Sequence, residues 1–419
     1  MPDSQPQPPH SSSGETDSAA LLLCGARLTD GRTVDVRLSG GHIEAVGTAG
    51  SLLPSASGSP RGSGARMDLA GYLLLPAPAE PHAHGDTALS ADGTGPVSYD
   101  SPEVQRRATE AALLQLGHGA TALRSHVRVG EARGLAGLAA VLQARRALRG
   151  LAELTVVAVP RLLTGVAGAD GLAILRDAVK TGASVVGGCP DADPDPTGYV
   201  EAVLEIASEH GCPVDLHTDA SDPARLARLA AMAGGLRPGV TLGPCGGLGR
   251  LPAEVAARAA DQLAAAGVTV VCLPQGGCGD AERHGTAPVR LLRAAGVRVV
   301  AGSGAVRDVA NPVGRGDPLE AAYLLASRYG LRPEEAYETV SSTARAALGL
   351  PEVRVEAGFP AELLAVRADG IAGALSFAYS RVVVHSGRVV ARTSAVREYS
   401  DSGSGVTLDL PRQGRAEPS

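Results

Sequence analysis

The sequence predicts an α/β fold, a (β/α)8 barrel joined to a small composite β-sandwich domain. Three observations lead to this prediction. Short apolar strands alternate with helical segments through the middle of the chain, eight such strands can be counted, and further β segments lie before and after them. Alternating strands and helices favour a parallel sheet, and eight repeats are typical of a barrel. The 419 residues are enough for one barrel and one small domain.

Changes in composition indicate five segments. Both ends of the chain are polar and have little to bury, which favours disorder there. Alternating segments near the start are separated by Asp30-Gly31 and Gly40-Gly41, as in hairpins. The predicted segments are a disordered tail at 1–18, the first half of the β domain at 19–70, the barrel at 71–350, the second half of the β domain at 351–398 and a loose tail at 399–419.

The eight predicted barrel strands begin with the one that carries His82, directly after an apolar run. The other seven are Ala120–Val127, Leu154–Pro160, Ala183–Pro190, Pro213–Thr218, Val240–Pro244, Val268–Pro274 and Val297–Gly302. Beyond the barrel, Glu334–Leu348 is predicted to be one helix. In a barrel of this kind, functional groups are expected where the strands end, at the C-terminal face.

Composition excludes several classes of function. The net charge is −6 and there is no basic run, so we expect no nucleic-acid partner and no binding to an anionic membrane. No apolar segment is long enough to span a bilayer, and the start lacks the pattern of a signal peptide. Six cysteines without a dense framework suit a reducing compartment, so a cytoplasmic location is expected.

The strand ends carry residues that suit a metal site. In an extended chain, His82 and His84 point the same way, and two imidazoles on one face can bind one ion. A His-x-His pair alone is a weak signal. The second strand ends with His126, the third with Arg161, and the fifth with His217 and Asp219.

Together these motifs resemble the amidohydrolase superfamily, and within it the cytosine deaminase-like branch. The resemblance extends from Ala20 to about Thr393. The motifs are Pro81-His82-Ala83-His84, Arg124-Ser125-His126-Val127, Asp215-Leu216-His217-Thr218-Asp219, Asn311-Pro312-Val313-Gly314-Arg315-Gly316-Asp317 and Gly358-Phe359-Pro360-Ala361-Glu362-Leu363-Leu364.

The resemblance implies one divalent metal ion, zinc or iron, with His82, His84 and His217 as ligands. Three neutral imidazoles hold such an ion and leave a position for water, whose pKa the metal lowers. His126 is then expected to be a wall of the substrate pocket. Arg161 takes the place of a substrate-binding Gln, where its charge favours an anionic ligand. A salt bridge across the barrel rim is an equal alternative for Arg161.

The sequence departs from the family pattern where protons are handled. The position of the proton-shuttling Glu is Ala220, that of the water-orienting His is Pro244, and that of the Asp at the eighth strand is Gly304. The Asp expected after Val127 is Arg128. Asp219 adjoins the missing Glu and is the candidate catalytic carboxylate. The alternative for Asp219, which we prefer, is hydrogen bonding to loop backbone.

Two hypotheses on function follow. The first is a metal-dependent hydrolase or deaminase that cleaves C–N bonds in small cyclic amidines or amides, with its activity in doubt. The second is a catalytically inactive paralogue that binds a small ligand, forms homo-oligomers or pairs with an active relative. Lys180 precedes a strand, which argues against a lysine-bridged metal pair. The Cys-x-x-Cys motif of the other zinc deaminase fold is absent.

Overall fold

The structure, a computed structural model, describes residues 20–53, 64–91, 97–130, 134–276, 285–377 and 380–395. The predicted tails at 1–18 and 399–419 lie outside the described residues. Within them, the strands form two eight-stranded sheets, one of which is the predicted barrel. In the part of the chain so described, no helix is both long and apolar enough to cross a membrane.

The barrel sheet is parallel, and each strand pairs with the next one along the chain. The main chain after the last strand closes it, since Gly304 N donates to His82 O over 3.1 Å. Its strands are β6 (Ala79–Ala83), β7 (Ala122–Val129), β8 (Glu153–Pro160), β9 (Val185–Gly188), β10 (Val214–Thr218), β11 (Val240–Pro244), β12 (Thr269–Cys272) and β13 (Arg298–Ala301). The prediction of eight alternating strands is confirmed.

A helix follows each barrel strand and covers its outer face with Leu, Val and Ala side chains. Asp-Pro pairs begin three of these helices. The side chain of Asp222, for example, accepts from Ala224 N and Arg225 N and so caps its helix. The helices are α1 (Ser101–Gly117), α2 (Ala136–Ala147), α3 (Ala169–Thr181), α4 (Pro196–His210), α5 (Pro223–Ala233), α6 (Ala253–Ala265), α7 (Val289–Ala294) and α8 (Pro318–Tyr329).

Both ends of the chain build the second sheet, as predicted. Its order is β16-β15-β14-β5-β1-β2-β3, with β4 beside β1. β4 and β5 run parallel to β1, so the sheet is mixed and not antiparallel throughout. The strands are β1 (Leu21–Arg27), β2 (Thr33–Ser39), β3 (His42–Thr48), β4 (Ala65–Asp68), β5 (Tyr72–Pro76), β14 (Leu363–Arg367), β15 (Arg381–His385) and β16 (Arg388–Thr393).

The helical region after the barrel closes the end of the barrel opposite to the histidines. The predicted helix Glu334–Leu348 is in fact two, α9 (Pro333–Val340) and α10 (Ser342–Ala347). They are separated because Ser341 has non-helical torsions, and its hydroxyl donates to Tyr337 O. Ala344 of α10 packs against the first residues of strands β6 and β7. A short helix, α11 (Ile371–Phe377), follows β14.

A buried ion pair joins the second sheet to helix α8 of the barrel. Both guanidinium NH2 groups of Arg381, on β15, donate to the carboxylate of Asp317, over 2.9 and 2.6 Å. Arg381 also donates to His118 O at the end of α1. Both side chains are at most 7% exposed. Asp317 caps α8 as well, since it accepts from Leu319 N.

We expect Arg381→Gln to lower the free energy of unfolding by about 3–5 kcal/mol, because it leaves the Asp317 charge buried without a matching cation. Chemical denaturation measures this. The control is Arg332→Gln, which breaks an exposed pair with Glu335 and should cost about 1 kcal/mol or less. Equal losses of unfolding free energy in the two variants would contradict a stabilising role for the buried Arg381–Asp317 pair.

Candidate metal centre

Four histidines meet at the C-terminal end of the barrel. His82 lies on β6, His84 directly follows it, His126 lies on β7 and His217 on β10. Their ligand atoms all lie within 4.8 Å of one another. Nε2 of His84 is 3.3 Å from Nε2 of His82 and 3.4 Å from Nε2 of His217. The structure therefore brings together the three residues predicted as ligands, from two separate strands.

The spacing of these nitrogens fits a tetrahedral ion. Ligand nitrogens about 2.0–2.1 Å from a zinc ion are separated by roughly 3.3–3.4 Å, which is the separation found here. Burial, and then the neighbouring imidazoles, hold the pKa values of His82 and His84 well below their ordinary range and lower that of His217 to about 3. Neutral imidazole is the form that binds a metal.

In two of the predicted ligands, the second ring nitrogen lacks a hydrogen-bond partner among the described residues. Nδ1 of His82 and Nδ1 of His217 are buried, and neither has a hydrogen-bond partner among the residues that the structure describes. Metal-binding histidines usually donate this second N–H to an oxygen, and losing such a partner typically weakens metal binding about 10- to 100-fold. The donor set therefore fits a single divalent ion, and we expect the ion to be held weakly.

His126 differs from the other three histidines. Its Nδ1 lies 3.3 Å from Ala83 O, and its Nε2 lies 3.2 Å from the Asp215 carboxylate, at an angle outside hydrogen bonding. Arg124 donates to the other oxygen of Asp215 over 2.9 Å. Burial would raise the pKa of Asp215, but His126 and Arg124 outweigh it and hold that pKa below its ordinary value. His126 is thus already engaged with oxygens, whereas His82 and His217 are not.

Glu80 fixes the first ligand strand to the last strand. Its carboxylate accepts from the main chain and the hydroxyl of Ser303, and from His82 N over 2.9 Å. Burial raises its pKa to about 7, against these hydrogen bonds. A Cβ at Gly302 would lie 2.7 Å from Glu80, so this contact requires glycine there. Sequence analysis missed Glu80 and Asp215; the available signal was a charged residue inside an apolar strand, two positions before a ligand histidine.

The cluster opens into a cleft of about 570 Å³. Arg128, at the end of β7, borders this cleft together with three of the histidines. Its lining is His84, Thr87, Ser90, Val97, Tyr99, His126, Arg128, Val159, Cys189, His217, Asp308, Val309 and Ala310. Burial raises the pKa of the Cys189 thiol to about 11, so the thiol stays protonated at neutral pH.

The other predicted site residues are placed differently. Asp219 accepts from Gly247 N over 2.8 Å and pairs with Arg250 over 2.6 Å. Neither Asp219 nor Arg161 belongs to the cleft lining within the described residues, and Arg161 is exposed. The catalytic role of Asp219 and the substrate-binding role of Arg161 stay predictions. His126 does line the cleft, where a pocket wall was predicted.

The three replaced positions lie at the same end of the barrel. Ala220 is buried and has a left-handed backbone, with φ of 56°. Pro244 ends β11 opposite Thr218. A Cβ at Gly304, whose φ is 70°, would lie 3.1 Å from Gly276 O. A carboxylate could not be restored at position 304 without backbone strain.

Residues 91–391 match the sequence profile of the amidohydrolase family. This match covers well over half of the chain. The chain belongs to the amidohydrolase family. The superfamily and the deaminase-like branch suggested by the sequence motifs are confirmed by this match and by the relatives described next.

Relatives of known activity have similar sequences and folds. The chain is 26% identical to a pterin deaminase of Rhizobium rhizogenes, over 84% of this chain and 87% of that protein. It is 28% identical to the solved N-isopropylammelide isopropylaminohydrolase of Burkholderia multivorans, with a TM-score of 0.76, covering 90% of this chain and 100% of that one. The 5-methylcytosine deaminase of Klebsiella pneumoniae, at 22% identity and a TM-score of 0.76, covers 91% and 99% and shares the fold.

We expect the metal-free protein to lose stability as the pH falls from 6.5 toward 3. In this window the unfolded chain binds a proton at His217, whose ordinary pKa is 6.5, while the folded protein does not. His217→Gln should therefore make the dependence of unfolding free energy on pH shallower by about 1.4 kcal/mol per pH unit near pH 5. Denaturation at several pH values, with a chelator present, measures this slope.

The matched control is His42→Gln, because His42 is exposed. This variant should keep the slope of the unchanged protein. An identical slope in His217→Gln and the unchanged protein would contradict a buried, neutral His217.

Proposed function

We propose that this protein binds one divalent metal ion through His82, His84 and His217 and hydrolyses C–N bonds in small cyclic amidines or amides. The observation that carries the proposal is the convergence of three Nε2 atoms, 3.3 and 3.4 Å apart, at the floor of a cleft of about 570 Å³. The activities named for the pterin deaminase and the isopropylammelide hydrolase support the class of substrate.

The protein's own residues supply the binding and the positioning. A bound divalent ion would act as a Lewis acid and lower the pKa of water. Burial keeps the imidazoles neutral, so they remain competent ligands at acidic pH as well. Glu80 holds His82 against the last strand, and the Asp215 carboxylate lies 3.2 Å from Nε2 of the neighbouring His126. The cleft is large enough for a small monocyclic or bicyclic molecule.

Proton transfer is the weak point of this site. Among the described residues, the group of ligand atoms that could hold an ion contains no Asp or Glu, and Asp215, 3.2 Å from His126, is paired with Arg124. Ala220, Pro244 and Gly304 carry no group that can donate, accept or titrate at this end of the barrel. Losing one general acid–base group typically costs about 10²- to 10⁴-fold in rate. We therefore expect turnover to be slow.

The same observation favours a second function, a catalytically inactive paralogue. In that case the chain binds a small ligand in the cleft, as a homo-oligomer or as the partner of an active relative, and makes no product. Metal binding alone does not distinguish the two functions, whereas formation of product distinguishes them.

We expect the full-length protein, purified without added metal and then supplied with zinc or ferrous iron, to bind about one ion per chain. It should slowly release ammonia or an alkylamine from pterin, cytosine or an isopropylamino-triazine, or open the ring of a hydantoin to an N-carbamoyl amino acid. His217→Ala should remove both the ion and the turnover, because it deletes a ligand. Elemental analysis and chromatography of the products measure the two outcomes.

Two results would discriminate further. A stoichiometric ion without any product would favour the inactive paralogue over the hydrolase. Absence of bound metal in the unchanged protein would overturn both the proposed metal site and the proposed metal-dependent hydrolysis. Asp219→Asn serves as the test of the predicted catalytic carboxylate: a rate equal to that of the unchanged protein would contradict a catalytic role for Asp219.

A further inference from the structure

A positive side chain borders the cleft beside the histidines. Arg128 lies two residues after His126, at the end of β7, and both side chains line the cleft. Its main-chain N donates to the Asp86 carboxylate over 3.3 Å, and this bond fixes the main chain near the end of the strand. Its side chain is exposed to the cleft solvent. The positive charge of Arg128 therefore lies in the cleft that leads to the ligand nitrogens.

Arg128 has no acidic partner among the residues that the structure describes. Other arginines near the barrel do: Arg124 pairs with Asp215, and Arg250 pairs with Asp219. An arginine beside a cleft whose charge is not matched by the protein can pair with a ligand instead.

The single carboxylate in the described lining of the cleft does not form an ion pair with Arg128. Both oxygens of Asp308 accept hydrogen bonds from its own surroundings. One accepts from Ala310 N and Asn311 N, and the other accepts from the Thr87 hydroxyl. Asp308 thus holds its own loop in place, and the guanidinium of Arg128 is not engaged by it.

Apolar side chains complete the lining. Val97, Val159 and Val309 border the same space, and Val309 is 72% exposed. A flat ring can lie against such side chains, while an acidic substituent reaches the guanidinium. The planar guanidinium makes two parallel hydrogen bonds to a carboxylate or a phosphate.

Arg128 lines the same cleft as two of the predicted metal ligands, His84 and His217. A ligand that pairs with Arg128 is therefore close to the histidines as well.

We propose that the cleft takes a small ring that carries an oxyanion, a carboxylate or a phosphate, with the oxyanion paired to Arg128 and the ring facing His84 and His217. This inference rests on the proposed function for its metal centre and narrows the substrate class to anionic rings. The anion-binding role that the sequence predicts for Arg161 stays a prediction, whereas Arg128 is the arginine in the described lining of the cleft.

The test compares three probes that differ in charge: neutral benzamide, benzoate and phenyl phosphate. Calorimetric titration of the full-length protein is done as purified and again after chelation of metal. We expect at least one of the two anions to bind about tenfold or more tightly than benzamide, in both preparations. The tighter anion tells whether a carboxylate or a phosphate is preferred.

Arg128→Gln should remove this preference, and Arg128→Lys should keep part of it, because lysine retains the charge without the planar fork. Arg149→Gln is the matched control and should bind like the unchanged protein, because Arg149 is exposed and does not belong to the described lining of the cleft. Thermal denaturation verifies that each variant is folded, which we expect because both arginines are exposed.

Three results would overturn the proposal: no preference for anions in the unchanged protein, a preference that survives in Arg128→Gln, or one that disappears on chelation, which would assign the anion to the metal. Failure of the proposed function looks different. Absence of bound metal or of product leaves the Arg128-dependent preference for anions intact, since that preference is measured in the chelated protein too.

Discussion

Three imidazole nitrogens held 3.3 and 3.4 Å apart constrain everything else at this end of the barrel. Neutral rings this close cannot all donate to one another, and a divalent ion among them would satisfy their lone pairs. The fold produces the convergence through strand alternation on β6 and through closure of the barrel beside His82. Glu80 reinforces that closure from the buried side.

In the function that we propose, metal binding does not require the groups that transfer protons. The predicted ligand histidines lie close together, and the main chain around them is tightly bonded. Ala220, Pro244 and Gly304 stand where the resemblance places groups that handle protons. The backbone at Gly304 disfavours a side chain, since its φ is 70° and a Cβ there would lie 3.1 Å from Gly276 O. Recognition of a ligand by charge does not depend on those groups.

Much of this could be predicted from the sequence, for physical reasons. Apolar strands between helices specify the barrel, and a period of two places His82 and His84 on one face. The break between α9 and α10 was missed because Ser341 is compatible with a helix in sequence and departs from it only through its torsions. The side-chain direction of Asp219 depends on loop torsions, such as the positive φ of the next residue, Ala220, which a sequence pattern does not specify.

X-ray absorption spectroscopy on the zinc-loaded full-length protein tests the central claim most directly. The account predicts a first shell with three imidazole nitrogens at about 2.0–2.1 Å, and no sulfur. A shell that contains a thiolate from Cys189 or Cys245, or zinc that is bound without the histidine signature, would contradict it.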